Sequence, residues 1–135
     1  GSPGMNFIAA EFVSANADDV AVRLNDGALV HCAVSAPDAK AGDKVTLGIR
    51  PEHITRVPYA NRLTAQVTFV ESLGSVTYAY CAFPGVEEDL TCELDGVVRV
   101  KAGDTLELGV EPHRCYLFDA AGQAFARTVS VRGAA

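Results

Sequence analysis

The sequence contains no tryptophan, and Phe, Tyr and Trp together make up 7% of it. That leaves few rings on which unpaired bases could stack. It also lacks an excess of positive charge. Eleven Lys and Arg stand against seventeen Asp and Glu, giving a formal net charge of −6. Such a surface repels a phosphate backbone, which excludes nucleic acid as the expected partner. The same balance argues against docking on an anionic bilayer. No apolar run approaches the roughly 20 residues of a membrane-spanning helix, so direct insertion is not expected. The opening GSPGMNFIAAEF has neither the basic flank nor the extended apolar stretch of a secretory signal. There is no CxxC pair. Cys32, Cys81, Cys92 and Cys115 stand singly among apolar neighbours, which favours buried thiols in a reducing compartment over disulfides.

Catalytic patterns are missing as well. No glycine is followed by lysine, so there is no P-loop to cradle a nucleotide, and there is no dinucleotide fingerprint. His31 and Cys32 are adjacent and would face opposite ways on a strand. His113 and Cys115 could share a face but supply two ligands, where a structural zinc takes four. Glu52-His53 and Glu111-Pro112-His113 each place a carboxylate near an imidazole. Neither has a hydroxyl or thiol at a spacing that would make a nucleophile. The run Glu87-Glu88-Asp89 reads as a solvated turn. The expectation is a chain with no catalytic, metal or cofactor-binding residues.

What the chain does have is a repeat. KAGDKVTLGIRPEH at 40–53 returns as KAGDTLELGVEPHR at 101–114, always 61 residues apart. Lys, Ala, Gly, Asp, Leu, Gly and Pro coincide, and apolar positions match apolar positions. Two related modules of one architecture follow, built around segments 40–53 and 101–114 of a single domain spanning 1–135. A fainter echo sets Phe12-Val13 before Val20–Leu24 beside Phe69-Val70 before Val76–Tyr80. With 49% apolar residues, the chain can bury one shared core.

The hydrophobic period is two. Val20–Leu24 and Ala28–Val34 around Asn25-Asp26-Gly27 predict a hairpin. Further strands are expected at Val45–Arg50, Leu63–Glu71 (with Ala65, Val67 and Phe69 on one side), Val76–Phe83, Leu90–Leu94 and Thr105–Val110. Val97–Val100 is expected to pair with Leu90–Leu94 through a turn at Asp95-Gly96. Cys115–Phe118 and Ala124–Val131 read as closing strands. Short helical turns are expected after Pro51 and Pro112, because proline suits the first helical position. The fold class is therefore all-β, a barrel or sandwich.

Arg50-Pro51-Glu52-His53 places charges at the end of an apolar strand, before a kink. Arg50 can fork onto a carboxylate within the chain or across an interface. Alternatively the cluster is a local ion pair pinning the turn, contributing under about 1 kcal/mol when exposed.

These residues carry a resemblance. Gly48-Ile49-Arg50-Pro51-Glu52-His53 resembles the GIRPEH signature in the C-terminal regulatory region of ABC-importer ATPase subunits of the maltose, sugar and glycerol-phosphate uptake class. Gly1-Ser2-Pro3 with Met5-Asn6-Phe7 is similar to the junction where the ATPase domain enters that region. Gly1-Ser2 equally fit a tag scar. Val70-Glu71-Ser72-Leu73-Gly74 resembles the family's VExLG step. Glu111-Pro112 with Cys115-Tyr116-Leu117-Phe118-Asp119 is similar to its closing pattern. The resemblance implies the OB-type barrel architecture called TOBE. It implies a cytoplasmic place at the inner face of the cell membrane, alongside transporter membrane subunits. It implies a homodimer through this domain, a surface open to an inhibitory regulatory protein, and interface or inter-module pinning by Arg50, Pro51, Glu52, His53, Glu71, Gly74, Glu111 and Pro112. ATP and Mg belong to the ATPase domain of the parent, whose Walker A and signature loops this sequence does not contain. The chain itself is thus expected to be a non-enzyme. A second reading is a small-ligand or oxyanion sensor like the tandem barrels of molybdate proteins, using Ser72, Ser75 and Thr77 near Gly74.

Overall fold

A computed structural model describes residues 4–56 and 60–128. The first half builds β1 (Asn6–Ala15), β2 (Val20–Leu24), β3 (Leu29–Cys32), β4 (Val34–Ser35) and β5 (Lys44–Ile49), then a 3-10 turn at Pro51–His53. The second builds β6 (Leu63–Ser72), β7 (Val76–Ala82), β8 (Leu90–Asp95) and β9 (Thr105–Leu108), then a 3-10 turn at Pro112–Arg114, β10 (Tyr116–Phe118) and β11 (Ala126–Arg127). One sheet runs β10-β5-β1-β2-β3, the other β8-β7-β6-β9, and β4 pairs with β11. The fold is all-β with short helical turns, and its two halves share one connectivity: β5-β1-β2-β3 is repeated as β9-β6-β7-β8.

The repeat has a physical reason. Each KAGD segment is a tight turn whose glycine carries a positive φ, 95° at Gly42 and 96° at Gly103. Its aspartate accepts a hydrogen bond from the lysine N–H, at 2.9 Å in Lys40–Asp43 and 3.0 Å in Lys101–Asp104. The turn then docks on a bulge. Phe12 N–H donates to Asp43 O at 2.8 Å, and Val67 N–H donates to Asp104 O at 2.8 Å. Immediately after each contact the strand carries one extra residue, Val13 in β1 and Thr68 in β6.

These contacts correct the fainter echo. Phe12 corresponds to Val67, not to Phe69. The Thr68 bulge also turns Phe69 over, so Ala65 and Val67 are buried while Phe69 is exposed. Val97–Val100 forms no strand. Gly96 N–H donates to Ser75 O and Val98 N–H to Asp95 O, which curls the chain away from the edge of β8, and Val97 is left 80% exposed. Ala28–Val34 divides at Ala33 because β4 leaves β3 to pair with β11. Of the strand expected at Ala124–Val131, Ala126–Arg127 is formed, Ala124 makes a single bridge to Phe118, and residues 129–131 lie outside the described residues. Of the loop Tyr59-Ala60-Asn61, Tyr59 lies outside them too.

One core runs through both halves. Ile8, Leu47 and Ile49 from one, and Leu63, Leu90 and Leu108 from the other, are all essentially without exposure. Each such side chain contributes about 1.5–3 kcal/mol relative to leaving it in water. The four cysteines are buried and free.

Candidate functional site

The segments following the two 3-10 turns cross over. After Pro51–His53, Thr55 bridges to Gly109 beside β9, with Thr55 N–H donating to Gly109 O at 2.8 Å. After Pro112–Arg114, β10 pairs with β5, setting Tyr116 opposite Gly48. Each half thus lends an edge segment to the other. Proline opens each turn, and each capping residue (Arg50, Glu111) is extended, as its position before proline favours. At the centre His53 meets Arg114, its counterpart in the repeat, with Arg114 Nη1 3.3 Å from His53 Nε2. Arginine is a donor only, so His53 Nε2 accepts and the imidazole proton sits on Nδ1, which is buried without a partner.

Two asparagines lock the crossover. The Asn6 side chain donates to Thr91 O and accepts from Thr91 N–H, both at 2.8 Å. The Asn61 side chain does the same with His31 O and His31 N–H, again at 2.8 Å. Asn6 precedes β1 residue Ile8 as Asn61 precedes β6 residue Leu63, and His31 and Thr91 hold matching places in β3 and β8. The arrangement is reciprocal: the first strand of each half clamps the third strand of the other. Asn61 has φ 46°, a conformation asparagine tolerates better than most residues.

The candidate residues fall into two groups. Arg50 is exposed, with its guanidinium 5.8 Å from the Tyr116 ring centre. Pro51 is buried, Glu52 is exposed, and His53 is half-buried. Glu111 caps the second turn with its carboxylate 3.3 Å from His113 Nδ1, and Pro112 O accepts from Ala33 N–H at 3.0 Å. These six surround the crossover. Glu71 and Gly74 sit instead on the β6–β7 hairpin. Glu71 accepts from Tyr80 Oη at 3.2 Å, and Gly74 turns the hairpin with φ 85°.

Sequence reasoning missed Asn6, Asn61, Arg114, Tyr116 and Arg127. An asparagine one turn of the pleat before the first core residue of both β1 and β6 was the available signal. Arg127, far from Arg50 in sequence, lies against the same Tyr116 ring with its guanidinium 4.2 Å from the ring centre, and donates to His113 O.

The charges leave marks on the titrating groups. Burial lowers the His53 pKa, and Arg114, Arg50 and Arg127 lower it further against the opposing pull of Glu52. A hydrogen bond from Arg50 holds the Tyr116 phenol below its usual value, with Arg127 adding to the effect against burial. The hydrogen bond with Cys115, together with burial, pushes the Cys32 thiol up. The Cys81 contact and burial do the same to Cys92. Among the described residues no group of three or more His, Cys, Asp or Glu is placed to hold a metal ion, and no helix is long and apolar enough to cross a membrane.

A histidine with a lowered pKa is stabilising only while neutral. The unfolded chain binds a proton near pH 6.5 and the folded chain at lower pH, so stability is lost as pH falls through that window. The wild-type melting midpoint is expected to drop more between about pH 7 and pH 5 than that of His53→Gln. Equal drops in thermal scans of the two would show that His53 does not titrate against Arg114.

The sequence matches two family models, the MalK OB fold domain over residues 1–54 and the TOBE domain over residues 47–118. It is 32% identical over 134 residues to the maltose/maltodextrin import ATP-binding protein MalK of Vibrio vulnificus (strain YJ016), covering 98% of this chain and 36% of that protein. It is 35% identical over 128 residues to the MalK of Photorhabdus laumondii, covering 94% of this chain and 35% of that protein. The chain thus spans about a third of the length of these relatives. Among solved structures, the cytoplasmic molybdate-binding protein ModG, with molybdate bound, superposes with a TM-score of 0.67 at 15% identity, covering 83% of this chain and 94% of ModG. That likeness is one of fold. With a family model matched across more than half its length and the repeated all-β architecture on which it folds, this chain belongs to the TOBE domain family.

Proposed function

We propose that the chain is the non-catalytic regulatory and dimerisation domain of the ATP-binding subunit of a carbohydrate-type ABC importer. The observation that carries this reading is the similarity to MalK proteins along 98% of the chain, supported by the exchange of edge segments that joins the two halves around one core. On this reading the domain works at the cytoplasmic face of a transporter whose membrane subunits bind the parent protein. It offers a docking surface for a regulatory protein, and ATP and Mg bind elsewhere in the parent. The physics is tethering. Once ATPase domains separate after hydrolysis, a lasting contact between their regulatory domains makes re-encounter intramolecular, at effective concentrations up to about the millimolar range.

Two measurements test it. The chain alone is expected to release no phosphate from ATP, and to self-associate with rising concentration in light scattering or sedimentation equilibrium. A chain that stays monomeric to about 1 mM overturns the tether, because the contact would then be weaker than the effective concentration it must exploit.

The oxyanion-sensor alternative draws on one feature, the buried Thr77 hydroxyl, which has no hydrogen-bond partner. Ser72 and Ser75 lie exposed beside it in sequence. Calorimetric titration with molybdate and tungstate is expected to give no heat. Binding at micromolar ligand would reverse the ranking.

A further inference from the structure

The outer face of the β10-β5-β1 sheet carries three features in a row. At its centre Phe7 is 54% exposed and meets Phe118 edge to face, with ring centres 5.9 Å apart. Phe118 and Met5 close over Gly48, where a Cβ would stand 2.9 Å from Phe118 Cε2 and 2.6 Å from Met5 Sδ. The absence of a side chain at Gly48 leaves the space these two groups occupy. On the β10 side stands Tyr116, with Arg50 and Arg127 against its ring. Neither arginine is within ion-pairing distance of a carboxylate among the described residues.

On the other side of β1 the β7–β8 connection docks, with Ala9 N–H donating to Gly85 O at 3.1 Å. Between that connection and Phe7 lies a cleft of about 760 Å³, walled by Phe7 and Tyr80 and rimmed by Glu87, Glu88 and Asp89. Asp89 already accepts a hydrogen bond from Thr68 at 2.7 Å, while Glu87 and Glu88 are exposed. An aromatic centre is therefore flanked by an arginine pair on one side and a carboxylate rim on the other.

We propose that this face binds a second copy of the same chain, each arginine pair entering the acidic cleft of its partner about a two-fold axis near Phe7 and Phe118. The inference rests on the dimerisation reading above and names the surface for it. A two-fold contact requires residue i to meet j and j to meet i. Opposite charges set on either side of an apolar centre satisfy that demand within one molecule. The second copy is favoured over another partner by charge. Two chains of net charge −6 repel, so self-association needs a local complementary patch, and this face carries both halves of one. Arginine suits the role because its planar fork binds carboxylates bidentately and remains weakly hydrated on an aromatic ring. The phenylalanine pair supplies the apolar centre that dimer interfaces show.

The test is a charge exchange on the full chain. Arg50→Glu with Arg127→Glu makes one variant, and Glu87→Lys with Glu88→Lys the other. Each alone is expected to weaken self-association at least tenfold in sedimentation equilibrium. An equimolar mixture is expected to recover association within about threefold of wild type, because both contacts of the mixed dimer are again of opposite charge. Wild-type association is expected to weaken as salt rises from about 0.05 to 0.5 M. Far-ultraviolet circular dichroism of each variant confirms that it is folded, and recovery in the mixture requires it.

A wild-type dimer that neither exchange weakens overturns this surface and leaves the tether intact. A mixture that fails to recover also overturns the surface. A wild-type chain that is monomeric throughout overturns the tether and the surface together.

Discussion

Asn6→Ala is expected to lower the stability of the chain by about 2–4 kcal/mol, read as a shift in the urea midpoint without a change in slope. Asn6 is 7% exposed, and both polar atoms of its amide are committed to the backbone of Thr91 at 2.8 Å. Truncation removes two hydrogen bonds and strands a buried N–H and a buried C=O, each costing about 1–3 kcal/mol when left unpaired. Asn6→Asp separates the two bonds. A carboxylate can still accept from Thr91 N–H, but it presents two acceptors, so Thr91 O loses its donor and a charge is buried. It is expected to be no better than alanine at neutral pH. Asn61→Ala breaks the sister clamp on His31 in a more exposed setting, and about 1 kcal/mol is expected, since water can replace the lost amide. If Asn6→Ala costs no more than Asn61→Ala, the buried clamp is not what joins β8 to β1.

The two clamps show where the sequence spoke and where it did not. The repeat was legible because KAGD is a turn with exacting needs: a glycine at positive φ, and an aspartate that accepts the lysine N–H. Local demands of that kind leave identical residues behind. Strands β1 to β3 and β6 to β8 show little identity, because a half-buried pleat asks only for alternation, which Val, Leu, Ile, Ala and Cys satisfy alike. The asparagines escaped notice because each acts on a strand far away in sequence and no short-range pattern records it. The offset itself shifts between elements: the equivalent residues Phe12 of β1 and Val67 of β6 lie 55 apart, whereas the KAGD turns lie 61 apart. The echo at Phe12 and Phe69 failed for the same reason: the bulges match, but the β6–β7 hairpin is longer than the β1–β2 hairpin, with Val67 opposite Cys81 where Phe12 is opposite Val22.

The crossover was half legible. Proline predicted both 3-10 turns, and Arg50, Pro51, His53, Glu111 and Pro112 do gather there. The partner of His53 was hidden in the repeat itself. Arg114 occupies the place of His53 in the second copy, and the structure sets the two face to face. Arg127 lies beyond any motif, on a two-residue strand whose place is fixed by pairing with β4. Among the described residues, Glu71 and Gly74 share no hydrogen bond with the crossover. Their motif describes a hairpin turn, which is a requirement of shape.

That requirement of shape yields the second large effect. Gly96→Ala is expected to cost about 3 kcal/mol or more, because the new Cβ would fall on the Gly74 carbonyl oxygen and stand 2.8 Å from the Ser75 carbonyl carbon. Both obstacles are backbone, held by the β6–β7 turn and by the bond from Gly96 N–H to Ser75 O at 3.1 Å, so no side-chain rotation relieves the overlap. Gly74→Ala provides the contrast. A Cβ there meets nothing within 4 Å, yet φ is 85°. Its cost is conformational alone, about 1–2 kcal/mol. The two glycines therefore serve different ends: one frees a dihedral and the other frees space. Urea midpoints of the two variants order these causes, and Gly96→Ala falling at or above Gly74→Ala would mean the backbones do not meet. Neither variant touches Arg50, Arg127, Phe7 or the acidic rim. Each is thus expected to self-associate like wild type at temperatures where it is folded, which separates loss of the scaffold from loss of the contact the scaffold presents.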